Sequence, residues 1–573
     1  MITVPVYGQP NRVTCVPGYE RLLVATVNNP TTPVIVTING VAYTSGSNLT
    51  LTARGAVCWT GVINLSAVGL VANRRYSWTV TQGSNTDSGS YFHTPAAGTD
   101  FKIFFAGCDN NTGFSNSGGT HPETVPGFWQ YYKQIFDSGV PIAGVIFPDD
   151  IGYIDNTYIF DGATSAYGNN TGLDMSAALV PNSTSSTQAD YYIAWCAWLG
   201  MLGPTGTYTF GVTNNDGRWT NGDNYWLNLM WAREENRAFC RKNINIFAQW
   251  GDHEFVSDMG WDVDTVSGTY AGNFTRGKLA WEAFLGLTTP PNNLITPADS
   301  TSKHWANVLG DVLMVAPDGI SKVTRASWAA DATPAGGVAT TTPTAFTTIY
   351  GANQITDIKA AITAAAKPFT IFGMGLGARY VTTRTASGGL YSTITGAVDE
   401  GNTGGTQHPI FDHCLAEWQS LVTNSTNGLM ANSYTNGVNG SMVWLHSDWH
   451  NVASYKMVHP AYTGHNAESF YTIYHGSTNG SAKTDVSPYG VVGDTVGSSV
   501  YIDYVGDNTP TKYFGGIVVD VKGASFPKTV EFKLLDKNNA SVWNKKMVHK
   551  IGLNEMYAIS NDITDKKAII STD

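Results

Sequence analysis

Charge is scarce in this chain. Asp, Glu, Lys and Arg make up 13% of its 573 residues, about half the usual share. The charge that is present is one-sided: 33 basic against 44 acidic residues leave a net charge of −11. No cluster of Lys and Arg forms a stripe able to neutralise a row of phosphates, which excludes nucleic acid as a main partner. No apolar run reaches the ~20 residues of a helical membrane span. No CxxC pair occurs, so zinc-finger logic does not apply. The six cysteines (Cys15, Cys58, Cys108, Cys196, Cys240 and Cys414) are too dispersed for the disulfide framework of a small secreted domain. Most of them read as small buried hydrophobes. The opening stretch MITVPVYGQPNRV has neither the charged n-region nor the apolar h-region of a signal peptide.

Gly, at 61 residues, and many Thr, Asn and Ser fill the space that charge leaves, beside a large aromatic store of 17 Trp, 28 Tyr and 23 Phe. An uncharged, turn-rich surface suits work outside the cytoplasm: secreted, periplasmic, or on a cell or virion surface. Export is then expected either after loss of a leader or by another route such as lysis. The length exceeds what one core organises, so two or three domains are expected.

Residues 1–98 read as all-β: RLLVATV, PVIVTI and RYSWTVT are short strand-like runs punctuated by Asn, Gly and Pro, as in a small sandwich. The joint falls at TPAAGTD, residues 94–100. From there to about 485 apolar runs alternate with helical stretches: FKIFFAG, AGVIF, INIFAQW, VLMVAP, FTIFGMG and SMVWLH on one hand, VPGFWQYYKQIFDSG and ITDIKAAITAAAKP on the other. That alternation predicts an α/β domain with its sheet covered on both faces. The segment 156–222, rich in Asn, Thr, Gly and Tyr, reads as a long insertion over one face. Beyond 485 short β runs return (SVYIDYV, YFGGIVVDV, KTVEFKLLD) and either extend the sheet or form a terminal β unit. The aromatic runs FWQYY and YWLNLMW sit at helical spacing and read as core rather than as a sugar-binding platform.

In an open α/β sheet, ligands sit beyond the carboxyl ends of the strands, and four strand exits here carry metal-type side chains. FKIFFAG ends in Cys108 and Asp109. AGVIF runs through Pro148 into Asp149 and Asp150, with Tyr153 three residues on. INIFAQW is followed by Gly251, Asp252, His253 and Glu254. SMVWLH, which ends in His446, is followed by Asp448 and His450. Each stretch alone reads as an N-cap or a polar turn. The four together define a site. Carboxylates, a thiolate, a phenol and imidazoles can hold more than one ion, and a central carboxylate can bridge two ions about 4 Å apart. Carboxylate and phenolate suit trivalent iron or an alkaline-earth ion, whereas Cys and His suit transition metals. A mixed pair is expected rather than two identical zinc ions.

In order and spacing, Asp150-x-x-Tyr153, Gly251-Asp252-His253-Glu254 and Asp448-x-His450, preceded by Cys108, resemble the PhoD-like alkaline phosphatase branch of the calcineurin-like metallophosphoesterases. The superfamily pattern is GD, GNH[D/E] and GHxH; the PhoD-like branch has a Cys in place of the first metal motif and GDxH in place of the last. GLVANRRYSWTV…SYFHTPA is similar to the end of that family's fibronectin-like N-terminal domain. GANQITDIKAAI resembles its Gly-x-x-Gln helix, and GKLAWEAFLGL sits where its members carry a related helix. The match covers most of the chain.

The resemblance implies an α/β fold: a four-layer αββα sandwich over 99–485 after a fibronectin-like β-sandwich over 1–98, with the β-rich 486–573 completing or flanking the sheet. It implies that Asp150 bridges both ions, that Cys108, Tyr153 and His450 bind iron (Fe3+), and that Asp252 binds calcium or another divalent ion. Asp448 is then a ligand to one of the two. His253 hydrogen-bonds or protonates the substrate phosphate or leaving group. Asp109, Asp149, Glu254, His446 and Asp318 stand behind these as residues that orient the ligands. The implied activity is hydrolysis of a phosphomonoester or phosphodiester, the substrate including, in one version, a phosphorylated surface polymer. Three departures accompany it. Asp149-Asp150 replaces Gly-Asp, leaving a register on Asp149 open; SDWH replaces Gly-Asp-x-His; and Asp318 in VAPDGISKV lacks the Arg expected after it. The charge-poor composition and that missing Arg also fit a second class of function: a virion or cell-surface binding protein, part of a larger assembly, that keeps the fold to recognise phosphorylated polymers.

Overall fold

The computed structural model describes residues 2–4, 12–107, 128–151, 186–199, 241–255, 271–287, 302–322, 350–374, 441–446, 453–457, 470–474, 500–505, 514–525, 527–536, 540–549 and 556–560, with a few isolated short pieces between them. Two large mixed sheets dominate.

Among the described residues the first sheet has eleven strands and the second eight. At its centre β8 (Asp100–Phe105), β9 (Ile142–Phe147) and β10 (Ile246–Ala248) run parallel. On one side β16 (Phe514–Lys522) pairs antiparallel with β8, followed by β17 (Lys528–Asp536), β18 (Ser541–His549) and Met556–Ser560. On the other side β10 meets β1 (Val13–Gly18), and β2 (Arg21–Thr26), β5 (Cys58–Asn64) and Thr52–Arg54 continue the sheet.

The second sheet begins with β11 (Trp305–Leu309), β12 (Val312–Ala316), β13 (Phe369–Met374), β14 (Ser441–His446) and β15 (Phe470–Tyr474). From β12 to β15 the neighbours are parallel. The two sheets face each other. Phe101, Ile103, Phe105, Phe247, Ile517 and Val519 of the first share one buried cluster with Trp305, Val312, Met314, Phe369, Ile371, Val443 and Leu445 of the second. The run pattern predicted a sheet covered on both faces, and the resemblance implied a four-layer αββα arrangement; the described residues place a second sheet on the inner face of the first. The runs alone report burial on both faces without saying what covers them.

Helices take the outer faces. On the first sheet, α1 (Phe128–Asp137), α2 (Gln188–Trp198) and α3 (Ala271–Ala283) pack through Phe128, Trp129, Tyr132, Phe136, Tyr191, Trp195 and Trp281. FWQYY is thus core, as its spacing indicated; YWLNLMW lies outside the described residues. Within 156–222, α2 is part of this central cluster: Tyr191, Trp195 and Cys196 are 0% exposed. On the second sheet, α4 (Ala352–Ala365) buries Ile358, Ala361 and Ile362 against β11 and β12. It lies between the parallel neighbours β12 and β13 in the chain, and with the first sheet on the inner face it packs on the outer one.

The N-terminal strands form two facing sheets. β3 (Val34–Ile38), β4 (Val41–Thr44), β6 (Arg75–Gln82) and β7 (Asn85–Phe92) make a four-stranded sheet. Its Val34, Val36, Ile38, Trp78 and Val80 pack on Val13, Leu22 and Val24. This unit holds the chain that leads into β10. Lys242 Nζ pairs with the buried Asp87 at 2.6 Å. Trp78 Nε1 donates to Lys242 O, Ser90 N to Asn243 Oδ1, and Asn245 Nδ2 to Phe92 O.

Two predictions follow from these contacts. Gly144 lies inside β9, where an added Cβ would sit 2.5 Å from Asn245 O and against the Phe247 ring. Gly144→Ala is expected to destabilise by about 1–3 kcal/mol, read as a lowered unfolding midpoint; an unchanged midpoint would mean β9 and β10 can move apart. Asp520 on β16 pairs with Lys102 of β8 and, at 2.7 Å, with Lys533 of β17. Burial alone pushes its carboxyl up, but the hydrogen bonds from the two lysines outweigh that and hold it below its ordinary 3.8. Its contribution to stability is therefore present above pH 3.8 and lost as pH falls through the depressed folded-state value. Asp520→Asn should unfold more readily than wild type at neutral pH, with the difference vanishing in acid melts.

Candidate metal centre

The chemistry-bearing residues lie where strands stop. After β9, Pro148 interrupts the ladder and Asp149 and Asp150 follow, 2% and 0% exposed. Asp150 sits at φ 41°, a left-handed conformation that Asp tolerates better than most residues with a Cβ and that concentrates at functional sites. One strand over, Gln249 N donates to Phe147 O at 2.8 Å, carrying the β9–β10 ladder one residue past β10. Gly251 then turns the chain into a single 3-10 turn, Asp252–Glu254, closed by Phe255 N on Asp252 O at 2.8 Å.

Gly251 is required here for space. An added Cβ would lie 2.5 Å from Asp150 N and 3.0 Å from Asp149 Cβ, and would collide with Asp150 Oδ1. Two hydrogen bonds organise the turn: Gly251 N donates to Glu254 Oε2 at 2.7 Å, and His253 N to Asp150 Oδ1 at 3.4 Å. Helix α2 braces both exits, with Trp198 Nε1 donating to Ile151 O at 3.2 Å and Tyr191 OH to Phe255 O at 2.8 Å.

These turns bring ligand atoms of Asp150, Asp252 and His253 within 4.8 Å of one another. Oxygen and nitrogen donors bind biological cations at about 2.0–2.6 Å, so donors sharing one ion lie within about 5 Å of each other. The trio meets that limit, and two carboxylates with an imidazole form a donor set suited to a di- or trivalent ion. The fit is good.

Among the described residues, Asp149, Glu254, His446 and Asp318 fall outside that trio. Glu254 is 0% exposed and caps Gly251. His446 ends β14, its ring stacked on Trp444 at 6.4 Å, while Val443 and Leu445 face the inter-sheet core. Asp318, 0% exposed, holds the segment after β12 and accepts a hydrogen bond from Trp250 Nε1 at 3.0 Å. Cys108, Asp109, Tyr153, Asp448 and His450 lie outside the described residues. The described chain ends at Gly107, at Ile151 and at His446 just before them. The carboxyl ends of the two sheets meet: a Cβ on Gly373 of β13 would lie 3.6 Å from Pro148 Cβ. Motif reading passed over Gln249 and Trp250, and it passed over α2, whose Tyr191 and Trp198 sit in the segment read as an insertion. The signal for the first pair was a polar–aromatic step directly before Gly251. For α2 only the apolar YYIAWCAWLG run offered one.

No protein-family model matches this chain, and no curated protein does. Among solved structures, PhoD superposes over 97% of this chain and 94% of its own, at 11% sequence identity and a TM-score of 0.54. Purple acid phosphatase PPD1 from yellow lupin (Lupinus luteus) seeds superposes over 97% of this chain and 75% of its own, at 10% identity and a TM-score of 0.47. Two facing mixed sheets with helices outside define a layered α/β protein with a candidate metal group at its strand ends. The architecture is that of the PhoD structure, and at this identity the likeness is one of fold.

Gly251→Ala is expected to push Asp150 aside and weaken Mn2+ binding by at least about 10-fold. Isothermal titration of the metal-free protein measures this; wild-type affinity in the variant would show that Asp150 does not depend on the close approach.

Proposed function

We propose that this chain is a metal-dependent phosphoric ester hydrolase. The observation that carries the reading is the trio of Asp150, Asp252 and His253 donors gathered within 4.8 Å at the exits of two adjacent parallel strands. Cys108 follows the third strand of that parallel set, and Asp448 and His450 follow β14, so chain connectivity supports their joining the group. The PhoD fold supports the same class of chemistry.

In this reading Asp150 would be shared by two cations, Cys108, Tyr153 and His450 would complete the holding of iron, Asp252 would hold calcium or another divalent ion, and Asp448 would serve one of them. Bound there, the ions supply Lewis acidity that polarises a phosphoryl oxygen and acidifies water. The chain's own part is positional. Pro148 and the φ of Asp150 aim its carboxylate, and Gly251 lets the two turns close on each other. His253, partly exposed beside both carboxylates, would donate a proton to the leaving oxygen from a position next to the ions rather than as one of their ligands. Its ring nitrogen is near enough to the two carboxylates for either role. Asp149, Glu254, Asp109, His446 and Asp318 keep these groups in place. The two facing N-terminal sheets are taken as a fibronectin-like unit over 1–98, followed by a catalytic unit over 99–485 and a β-rich segment over 486–573. The working place is extracytoplasmic.

Elemental analysis, a visible spectrum and hydrolysis of a chromogenic phosphate ester test this together. Iron with a tyrosinate band that Tyr153→Phe abolishes is expected, as is a loss of kcat of roughly 10²–10⁴ in His253→Ala. Protein that takes up no metal and stays inert after addition of iron and calcium would refute the reading.

A further inference from the structure

The turn that carries Asp252 and His253 leaves the first sheet, yet its approach is tied to the second. Trp305 Nε1 donates to Ala248 O at 3.0 Å. Gln249 Nε2 reaches Ala316 O and Lys303 O at 3.3 Å and Pro317 O at 3.2 Å, while its Oε1 accepts from Trp250 N at 3.0 Å. Trp250 Nε1 donates to Asp318 Oδ1 at 3.0 Å. Three consecutive residues, Ala248, Gln249 and Trp250, are thus held by the segment 303–318. The next three are Gly251, Asp252 and His253.

Asp318 is the fixed end of this tie. Its Oδ1 accepts from Trp250 Nε1, from Ile320 N at 3.1 Å and from Ser321 N at 2.9 Å. Its Oδ2 accepts from Lys303 N at 2.9 Å and Ser321 Oγ at 2.6 Å. Its backbone is clamped by one side chain of α4: Asp318 N donates to Gln354 Oε1 at 2.6 Å and Gln354 Nε2 donates to Asp318 O at 3.0 Å. Five donors fill the roughly four lone-pair directions of a carboxylate, which leaves Asp318 no capacity to be a ligand itself. Four of those donors belong to its own side of the molecule. Among the described residues, only the Trp250 indole comes from the turn of the first sheet.

We propose that Asp318 is a positioning residue for the metal centre, acting through the Trp250 indole N–H to set where Asp252 and His253 stand relative to Asp150. This rests on the reading of that trio as a metal site. The bland alternative is that Trp250 is held by packing alone, since its ring meets Trp281 at 5.2 Å and Phe255 at 5.5 Å. The two differ in what the N–H does. Packing needs the ring; positioning needs the hydrogen bond. The carboxylate form also matters, because an amide at this place would turn one acceptor into a donor facing Lys303 N and Ser321 Oγ.

The test uses the full chain, stripped of metal, in wild-type, Trp250→Phe, Asp318→Asn and Ser321→Ala forms, with Mn2+ titrated calorimetrically. Trp250→Phe keeps most of the ring and deletes the donor; Ser321→Ala deletes a short hydrogen bond to the same carboxylate that does not lead to the turn. Expected are a 10–100-fold loss of Mn2+ affinity in Trp250→Phe and Asp318→Asn, and a double variant no weaker than Asp318→Asn. Ser321→Ala should stay within about twofold of wild type. Equal losses in Trp250→Phe and Ser321→Ala, or none in Trp250→Phe, would overturn the proposal, and should Asp318→Asn fail to fold, Trp250→Phe decides it. Wild-type protein that binds no Mn2+ counts against the metal reading instead. A crystal structure of Trp250→Phe then settles the positioning: a shifted Asp252 carboxylate supports it, and an unmoved one ends it.

Discussion

The inner faces of the two sheets meet through Phe101, Ile103, Phe105 and Phe247 on one side and Trp305, Met314, Phe369 and Ile371 on the other. This contact decides where everything else stands. Apolar area buried between two rigid surfaces is worth about 25 cal/mol per Å2, and side chains packed at near-crystalline density leave little room for one sheet to slide on the other. With the sheets locked, their carboxyl ends converge at Gly373 and Pro148. Residues as distant in the chain as Asp150, Trp250 and Asp318 then become neighbours.

Crowding Asp150 and Asp252 into a buried region is unfavourable in itself, because like charges in a low-dielectric setting repel and lose hydration. The surrounding chain concentrates devices to hold them there. Asp150 accepts a left-handed backbone, Gly251 gives up a side chain, Glu254 is spent on one backbone N–H, and Tyr191 and Trp198 reach across from α2. Tyr191 and Trp198 belong to the core cluster as well, but the first three devices add nothing to a core. Their common effect is to keep two carboxylates and an imidazole facing one point, which is the arrangement a cation would stabilise.

The N-terminal sheets enter the same mechanics. β1 extends the first sheet beside β10, and Asp87, Ser90, Phe92 and Trp78 grip the segment 242–245 that feeds β10. Lys242 is paired with Asp87, whose other oxygen accepts from Thr14 at 2.6 Å. The strand that delivers His253 is therefore gripped from both ends: by the N-terminal unit before it and by the second sheet after it.

Much of this was legible in the chain itself. Apolar runs of four to seven residues mark β8, β9, β12, β13 and β14, because such runs bury both faces of a strand whatever covers them. Helix α4 shows in its 3.6-residue period, and Gly251-Asp252-His253-Glu254 announces a polar turn at a strand exit. Local chemistry reports local needs: which backbone can turn, which side chain can ligate. Other features had no local signature. A second sheet as the cover, the N-terminal strands merging into the first sheet, and α2 rising out of a polar segment into the core all depend on what lies opposite. So does the hydrogen bond from Trp250 to Asp318, which joins residues sixty-eight apart in the chain, although the resemblance already points to Asp318 itself. Hydrogen bonds and packing act over a few ångströms of space, and only the folded chain sets which residues share that space.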